Sequence, residues 1–500
     1  MKKLYVVILF ALISTNIFSQ QITYSDTSWK SKYEMYVIGK CDKGVYVFTA
    51  KRNSDQLKDM AFNLFDNDLK KIKSLSYDFD KKGWPIKAFV ANNELNLLVF
   101  DKKGLEVIQP FANKIITLNL SNEFVYDKSW NDSYLFKRFH ILSEGNNFVI
   151  YMDYKNPDSW VADSPNIYYW TFDENNNVKK SVIKVNAPDF GKKNKAIPFY
   201  SFAGNYFFVN YFKSEKERLH FSSGAAEFIF QTLDGGKADF VDVNTGDLHS
   251  FEISAVDGCY FFSYNYSIEN NKIVFSGFLT KKTEKENPSF ASGTFKYIVD
   301  QSGGIDNKQI VPFTQTVQTQ IDNAYKNSSF FSSRGYGRAD FYINNGNNIY
   351  GIEGMEMPKV YVGSPSGDVV THYTGELPQE EFRVPANIYG DIVLLCTDKT
   401  GNYKWMKSFE RNEKIKAFSR TLDWGSYISC SDGKFIHIVY SDDGSKITHC
   451  KIDDEGNTSK NTLSVEGIKI YPTEGIQISD KAVVMPYEKD GQSGLIKIIF

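Results

Sequence analysis

The soft metal ligands of this chain are few, and the best-placed pair is His437 with Cys450. If the turns at Asp432-Gly433 and Asp443-Gly444 are two-residue hairpin turns, His437 lies opposite Cys450 on one sheet face, with His449 on the other. Zinc needs a third and fourth ligand, and none is spaced to supply them, so the expectation is no metal. In the same register Cys430 and Cys450 are two strand spacings apart, about 9.5 Å, too far for a disulfide. Hard cations fare no better. Asp173-Glu174-Asn175-Asn176-Asn177 begins like a calcium loop, but Val178 takes the place of the required glycine and Lys184 that of the bidentate glutamate. Asp242 to Asp247 is a second oxygen-rich turn and reads as an ordinary hairpin. The sequence has no Gly-x-Ser-x-Gly elbow, His-Glu-x-x-His, Cys-x-x-Cys or phosphate loop, and no cofactor is expected.

Binding chemistry is better represented. Trp130 and Tyr134, Trp160 between Asp158 and Asp163, and Arg334 with Tyr336 place flat rings beside polar groups in irregular segments. Such rings stack on sugar faces, and arginine with aromatics is the composition of protein-binding centres. These five residues are the candidate ligand-binding set, for a protein, peptide or glycan. A hydrolase or lyase acting on polysaccharide is the alternative, since a catalytic carboxylate pair can come from segments distant in sequence.

The elements that carry these residues announce themselves by a recurring turn. Asp-x-x-Gly appears at Asp101 to Gly104, Asp300 to Gly303, Asp398 to Gly401 and Asp453 to Gly456, with near copies at Asp173 to Asn176 and Ser364 to Gly367. The aspartate accepts backbone N–H groups ahead of it, and the glycine takes a positive φ. Tighter turns, Asn92-Asn93, Gly145-Asn146, Gly204-Asn205, Asn270-Asn271, Asn345-Gly346 and Asp432-Gly433, lie upstream of most copies. One unit is therefore strand, tight turn, strand, loop, strand, Asp-x-x-Gly, strand; its clearest copy runs from Tyr427 to Leu463. Four-stranded antiparallel units repeating at roughly 40 to 75 residues predict an all-β fold, a β-propeller of about seven or eight blades.

Val393 to Phe409, VLLCTDKTGNYKWMKSF, resembles the repeat of bacterial secreted β-propellers of uncharacterised function, in which an apolar strand, Asp-x-x-Gly-Asn and Trp-x-Lys-x-Phe follow one another. Trp405 supplies the tryptophan; Asp453 to Asn457 keeps the turn without it. The resemblance implies the fold and no catalytic residues.

Composition agrees with one large all-β domain over residues 20–500: 16 % of the 500 residues are aromatic, with 40 Phe and 31 Tyr to fill the space between sheets. Residues 1–19 have the layout of a signal peptide, Lys2-Lys3 followed by an apolar stretch and Ser19 before the cut, so a periplasmic or extracellular protein is expected, with no integral membrane segment after cleavage. A net charge of −2 argues against nucleic acid as a partner. The terminal run Gly494 to Phe500 alternates like a strand of an outer-membrane barrel, a third reading. Runs such as Tyr206 to Val209 and Ile392 to Leu395 are apolar on both faces, which favours the propeller. There the last strand would pair with an N-terminal one, expected at Tyr33 to Ile38.

Overall fold

The computed structural model describes residues 21–500 except 31–32, 54–55, 78–84, 102–103, 119–138, 145–146, 153–165, 173–177, 185–187, 189–194, 221–226, 282–290, 325–331, 345, 359–361, 364–368, 371–385, 411–412, 417–426, 442–445 and 464–466. The fold is all-β, and its recurring element is the four-stranded antiparallel sheet. The chain divides into two compact units, Met1–Ser76 with Thr421–Phe500, and Tyr77–Arg420.

The first unit holds three sheets. Sheet A comprises Tyr33–Cys41, Gly44–Asn53, Gln56–Phe65 and Lys71–Ser76. Sheet G comprises Tyr427–Ser431, Ile436–Ser441, Ile447–Ile452 and Thr458–Leu463, the unit that the turn pattern delimits. Sheet H joins Ile476–Ser479, Ala482–Lys489 and Gln492–Ile499 to the N-terminal strand Gln21–Tyr24. The last strand thus does pair with an N-terminal one, but with Gln21–Tyr24 and Trp29–Lys30 rather than Tyr33 to Ile38, which opens sheet A. Sheet H is apolar on both faces. Val484 and Leu495 pack with Met35, Val45 and Phe65 of sheet A, while Val483, Met485, Ile496 and Ile498 pack with Ile428, Val439 and Ile447 of sheet G.

The second unit holds sheets B to F. Sheet B comprises Pro85–Ala91, Glu94–Asp101, Gly104–Gln109 and Lys114–Leu118. In region C two hairpins, Phe139–Glu144 with Asn147–Met152 and Asn166–Phe172 with Val178–Lys184, lie side by side. Sheet D comprises Lys195–Ala203, Tyr206–His220, Glu227–Asp242 and Leu248–Ile253; sheet E comprises Cys259–Glu269, Lys272–Lys281, Ala291–Val299 and Ile305–Pro312. Among the described residues one pair, Leu233 with Phe261, links D to E, and the two sheets pack face to face. Helix α1 (Gln315–Ala324) leads into sheet F, made of Ser332–Asn344, Asn347–Pro358, Ala386–Thr397 and Tyr403–Phe409.

Aromatic residues fill the layer between D and E. Phe208 stacks on Tyr266 at 3.8 Å, Tyr266 on Phe275 at 4.8 Å, and Phe261 meets Phe295 edge-on at 4.8 Å. Burial follows strand position within a sheet: the second and third strands of sheet G are almost wholly buried, and its fourth is exposed. The described strands form separate sheets, and sheet H is covered on both faces, unlike the single closed sheet of a membrane barrel.

The Asp-x-x-Gly turns join third to fourth strands in sheets E, F and G. In each, one aspartate oxygen accepts N–H groups two and four residues ahead: 2.8 and 2.9 Å for Asp398, 3.0 and 2.7 Å for Asp453, and 2.8 and 2.8 Å for Asp300. The glycines take φ of 93°, 88° and 81°. Hydroxyl and backbone donors hold the Asp398 carboxyl down to about 2, the Thr400 hydroxyl foremost. Asp101 to Gly104 differs, because it joins the second and third strands of sheet B. The first-to-second turns at Asn92-Asn93 and Asn270-Asn271 have both residues at positive φ, as a type I′ turn requires.

Sheet A carries the same third-to-fourth turn in a form the sequence pattern conceals. Asp66 Oδ1 accepts from Asp68 and Lys70 at 2.9 and 2.8 Å, and the glycine place is taken by Leu69 at φ 60°. Its side chain is completely buried in the core between sheets A and H. Left-handed backbone costs an L-residue about 1–2 kcal/mol, whereas deleting a buried leucine side chain costs about 2–5 kcal/mol. Burial wins, so Leu69→Gly is expected to lower stability by a net 1–3 kcal/mol or so, read from the urea midpoint. An unchanged or raised midpoint would show that strain dominates.

Candidate functional site

Two of the five predicted binding residues fall within described strands, at the end of the sheet that carries its long connection. In sheets B and D to F and in the hairpins of region C, the first-to-second turns have two residues and the third-to-fourth turns no more than five. The second-to-third connections and those to the next sheet include every longer segment of this unit: 77–84, 119–138, 153–165, 185–194, 221–226, 282–290, 313–331, 359–385 and, leading out of it, 417–426. In an antiparallel sheet these leave from the opposite end to the short turns. Two ribbons extend the sheets at that end. In sheet D, Ser214 to His220 pairs with Glu227 to Leu233 beyond the first strand, which ends its pairing at Lys195. In sheet F, Ser332 to Tyr336 pairs with Gly354 to Pro358.

Arg334 and Tyr336 lie on this second ribbon, Arg334 opposite Glu356 and Tyr336 opposite Gly354, just before a bulge between Tyr336 and Arg338. Trp130, Tyr134 and Trp160 lie outside the described residues, in the connections from Leu118 to Phe139 and from Met152 to Asn166. The structure therefore brings Arg334 and Tyr336 onto one strand and leaves the other three in segments that join the same kind of end. The oxygen-rich turn at Asp242 closes as a hairpin, with Gly246 donating to the Asp242 carbonyl at 2.7 Å and Asn244 to its carboxylate at 2.8 Å.

A titratable cluster sits in the first unit, and its membership corrects the sequence register. The turn after Ser431 has four residues, closed by Asp432 Oδ1 accepting from Lys434 and Phe435 at 2.9 and 2.6 Å. Ser441 then pairs with Ile447, so His437 lies opposite Lys451 and not Cys450. A one-residue slip turns the whole third strand over. His449, not Cys450, now shares the face of His437, and the two imidazoles meet with Nδ1 of His437 2.9 Å from Nε2 of His449. Cys430 and Cys450 lie on opposite faces, and none of the five cysteines forms a disulfide.

The two rings stack at 5.1 Å, and Phe500 covers both, 4.2 Å from His437 and 4.9 Å from His449. Asp432 Oδ2 lies 3.2 Å from Nε2 of His437, off the line of a hydrogen bond. The nearby carboxylate favours a proton on that nitrogen. This leaves Nδ1 as acceptor and His449 as donor. Burial pushes both imidazoles down, His449 to about 3, with Lys451 and the partner ring adding to its shift. Burial, reinforced by the Asp432 charge, pushes the Cys430 thiol up to about 12, far from a nucleophile. Burial works against ionisation of Asp432, but the N–H groups of Phe435 and Lys434 outweigh it and hold its pKa down. With His437 and His449 at 2 % and 3 % exposure, no substrate reaches either ring; the pair is an acid-sensitive tie inside the core. Among the described residues no group of three or more His, Cys, Asp or Glu is arranged to hold a metal ion.

No protein-family model matches this chain, and no curated protein does. Similar solved structures include the polysaccharide lyase Uly1, 11 % identical, covering 95 % of this chain and 99 % of that one, with a TM-score of 0.42. Cobalt-substituted Synechocystis ACO is 11 % identical over 91 % and 94 %, at a TM-score of 0.33. A putative hydrolase from Bacteroides ovatus is 8 % identical over 60 % and 84 %, at 0.21. At such TM-scores these likenesses carry no argument about fold or activity.

The histidine tie makes the fold acid-sensitive in a defined window. A histidine whose folded pKa is depressed stabilises fully above its unfolded value of about 6.5, and that stability is lost as pH falls toward the folded value. The turn carboxylates begin to matter only below about pH 4. His449→Leu is expected to cost about 1–3 kcal/mol at pH 8, by leaving His437 Nδ1 without its donor. It should also lose less stability than the parent between pH 7 and 5. Parallel urea curves for the two proteins across that interval would count against the assignment.

Proposed function

We propose that this chain is an exported β-propeller that binds a protein, peptide or glycan through the long connections of its sheets. The observation that carries this reading is the inequality of the two strand ends in the second unit: turns of five residues or fewer at one, every longer connection at the other. A fold that spends its variable length on one kind of end presents recognition residues there. Residues 1–19 act as the signal peptide, residues 20–500 form one domain, and sheets A to H are its seven or eight blades, depending on whether the two hairpins of region C count as one. Face-to-face packing of D on E and of A and G on H is what neighbouring blades require. The protein acts in the periplasm or outside the cell. Trp130, Tyr134, Trp160, Arg334 and Tyr336 contribute to the ligand surface.

The test is fractionation of the tagged full chain followed by cross-linking mass spectrometry and glycan arrays. The protein is expected in the soluble exported fraction. Cross-links to a partner should form at Lys281, which ends the second strand of sheet E, and not at Lys399 inside a short turn. Arg334→Ala with Tyr336→Ala should weaken partner or glycan binding about tenfold or more. Links confined to Lys399, or full binding by the double variant, would sink the proposal.

A further inference from the structure

The third-to-fourth turn of sheet F is tied to the outer strand of sheet E. The Gln309 side chain donates to the Lys399 carbonyl at 3.1 Å, and a Cβ on Gly401 would lie 2.9 Å from Val311. A buried lysine fixes the same turn from inside. Lys296, 5 % exposed, donates to Asn348 Oδ1 at 2.7 Å, and Asn348 passes its own protons to the Thr397 hydroxyl and the Asp398 carbonyl at 3.3 and 2.9 Å. Between this turn, the end of the outer strand and the first turn of α1 a cleft of about 200 Å³ opens.

The chemistry of the cleft is neutral and amphipathic. Val311 and Pro312 give it an apolar wall, Thr314, Thr400 and Asn402 line it with oxygen, and Tyr403, 44 % exposed, stands at its rim. Among the described residues no side chain lining it is charged. The hydrogen bonds of the turn decide what remains for a ligand. Asn402 donates to Asp398 Oδ2 at 3.1 Å and to the Thr400 hydroxyl at 2.7 Å, so its amide protons are used and its Oδ1 is an uncommitted acceptor. Thr314 accepts from the Val317 N–H at 3.3 Å and keeps its hydroxyl proton to donate.

We propose that this cleft binds one neutral pyranose unit of a glycan, with the sugar ring against Tyr403 and its hydroxyls on Asn402 Oδ1 and the Thr314 hydroxyl. Size supports a single ring, since a cavity of about 150 Å³ already takes benzene. Hydroxyl groups, which both donate and accept, suit one fixed acceptor beside one free donor. An aromatic rim offers its apolar face to the C–H side of the sugar, and the uncharged lining gives an acidic or cationic ligand nothing to pair with. The site combines a short turn, the end of an outer strand and Thr314 at the start of the 313–331 connection, and the Tyr403 and Asn402 variants test it apart from the Arg334 and Tyr336 surface.

Saturation-transfer NMR on the full chain with methyl glycosides of glucose, galactose, mannose, xylose and N-acetylglucosamine tests the proposal. At least one is expected to give transfer, strongest at protons of one ring face. Tyr403→Ala should weaken it about tenfold, while Tyr403→Phe retains it. Asn402→Gly should weaken it similarly and still fold, because Gly304 occupies the same place in the Asp300 turn. No transfer from any of the five glycosides, or transfer undiminished in both weakening variants, would overturn the assignment.

Discussion

Among the described residues the inner strands of the sheets are apolar on both faces, and each such face must be covered. The rest of the structure depends on that constraint. A sheet with one wet face alternates apolar and polar residues; the inner strands here read Tyr206-Phe207-Phe208-Val209 and Ile392-Val393-Leu394-Leu395, with every one of these side chains buried. Such a sheet is unstable alone and satisfied only by neighbours on both sides. Large flat rings span the gap between sheets, which accounts for the Phe and Tyr content and for the stack running from Phe208 through Tyr266 to Phe275. Turns at one end stay short because the strands they join are held in register by packing on both faces. Length accumulates at the other end, where the chain leaves one strand pair for the next.

Local features were legible in the sequence wherever a side chain or a glycine determines the backbone by itself. The aspartate turns at Asp300, Asp398 and Asp453 and the paired asparagines at Asn92 and Asn270 were readable because their hydrogen bonds and φ values are set within five residues. Sheet G was delimited by its turns for the same reason. The turn at Asp66 was not legible, because Leu69 trades backbone strain for burial between two sheets, a gain that sequence spacing does not display.

The histidine pair was missed for a different reason. Its partners depend on the parity of the turn after Ser441; the turn at Asp432-Gly433 has four residues where a two-residue one is the simplest reading, which leaves parity unchanged. One further residue between Ser441 and Ile447 exchanges Cys450 for His449 on the inner face. The cover supplied by Phe500 is a contact between sheets, visible only once both are placed. Of the five candidate binding residues, the sequence indicated composition and the strand order indicates which end of the sheets they serve; neither alone does both.

Sheet H takes its outer strand from residues 21–24 and its central one from residues 492–499. The Leu495 N–H donates to the Ser25 hydroxyl across 470 residues of chain. Bringing such distant segments together costs roughly 5 kcal/mol of loop-closure entropy, which no local contact in the sheet repays beforehand. The first unit is therefore the slow part of folding, and it can be completed only after the second unit has been synthesised in full. Until then Val484 and Ile496, both fully buried in the finished fold, have no complete sheet to bury them, and the unfinished chain carries an open, adhesive edge. Chaperone demand should accordingly concentrate on the closing segments of the polypeptide.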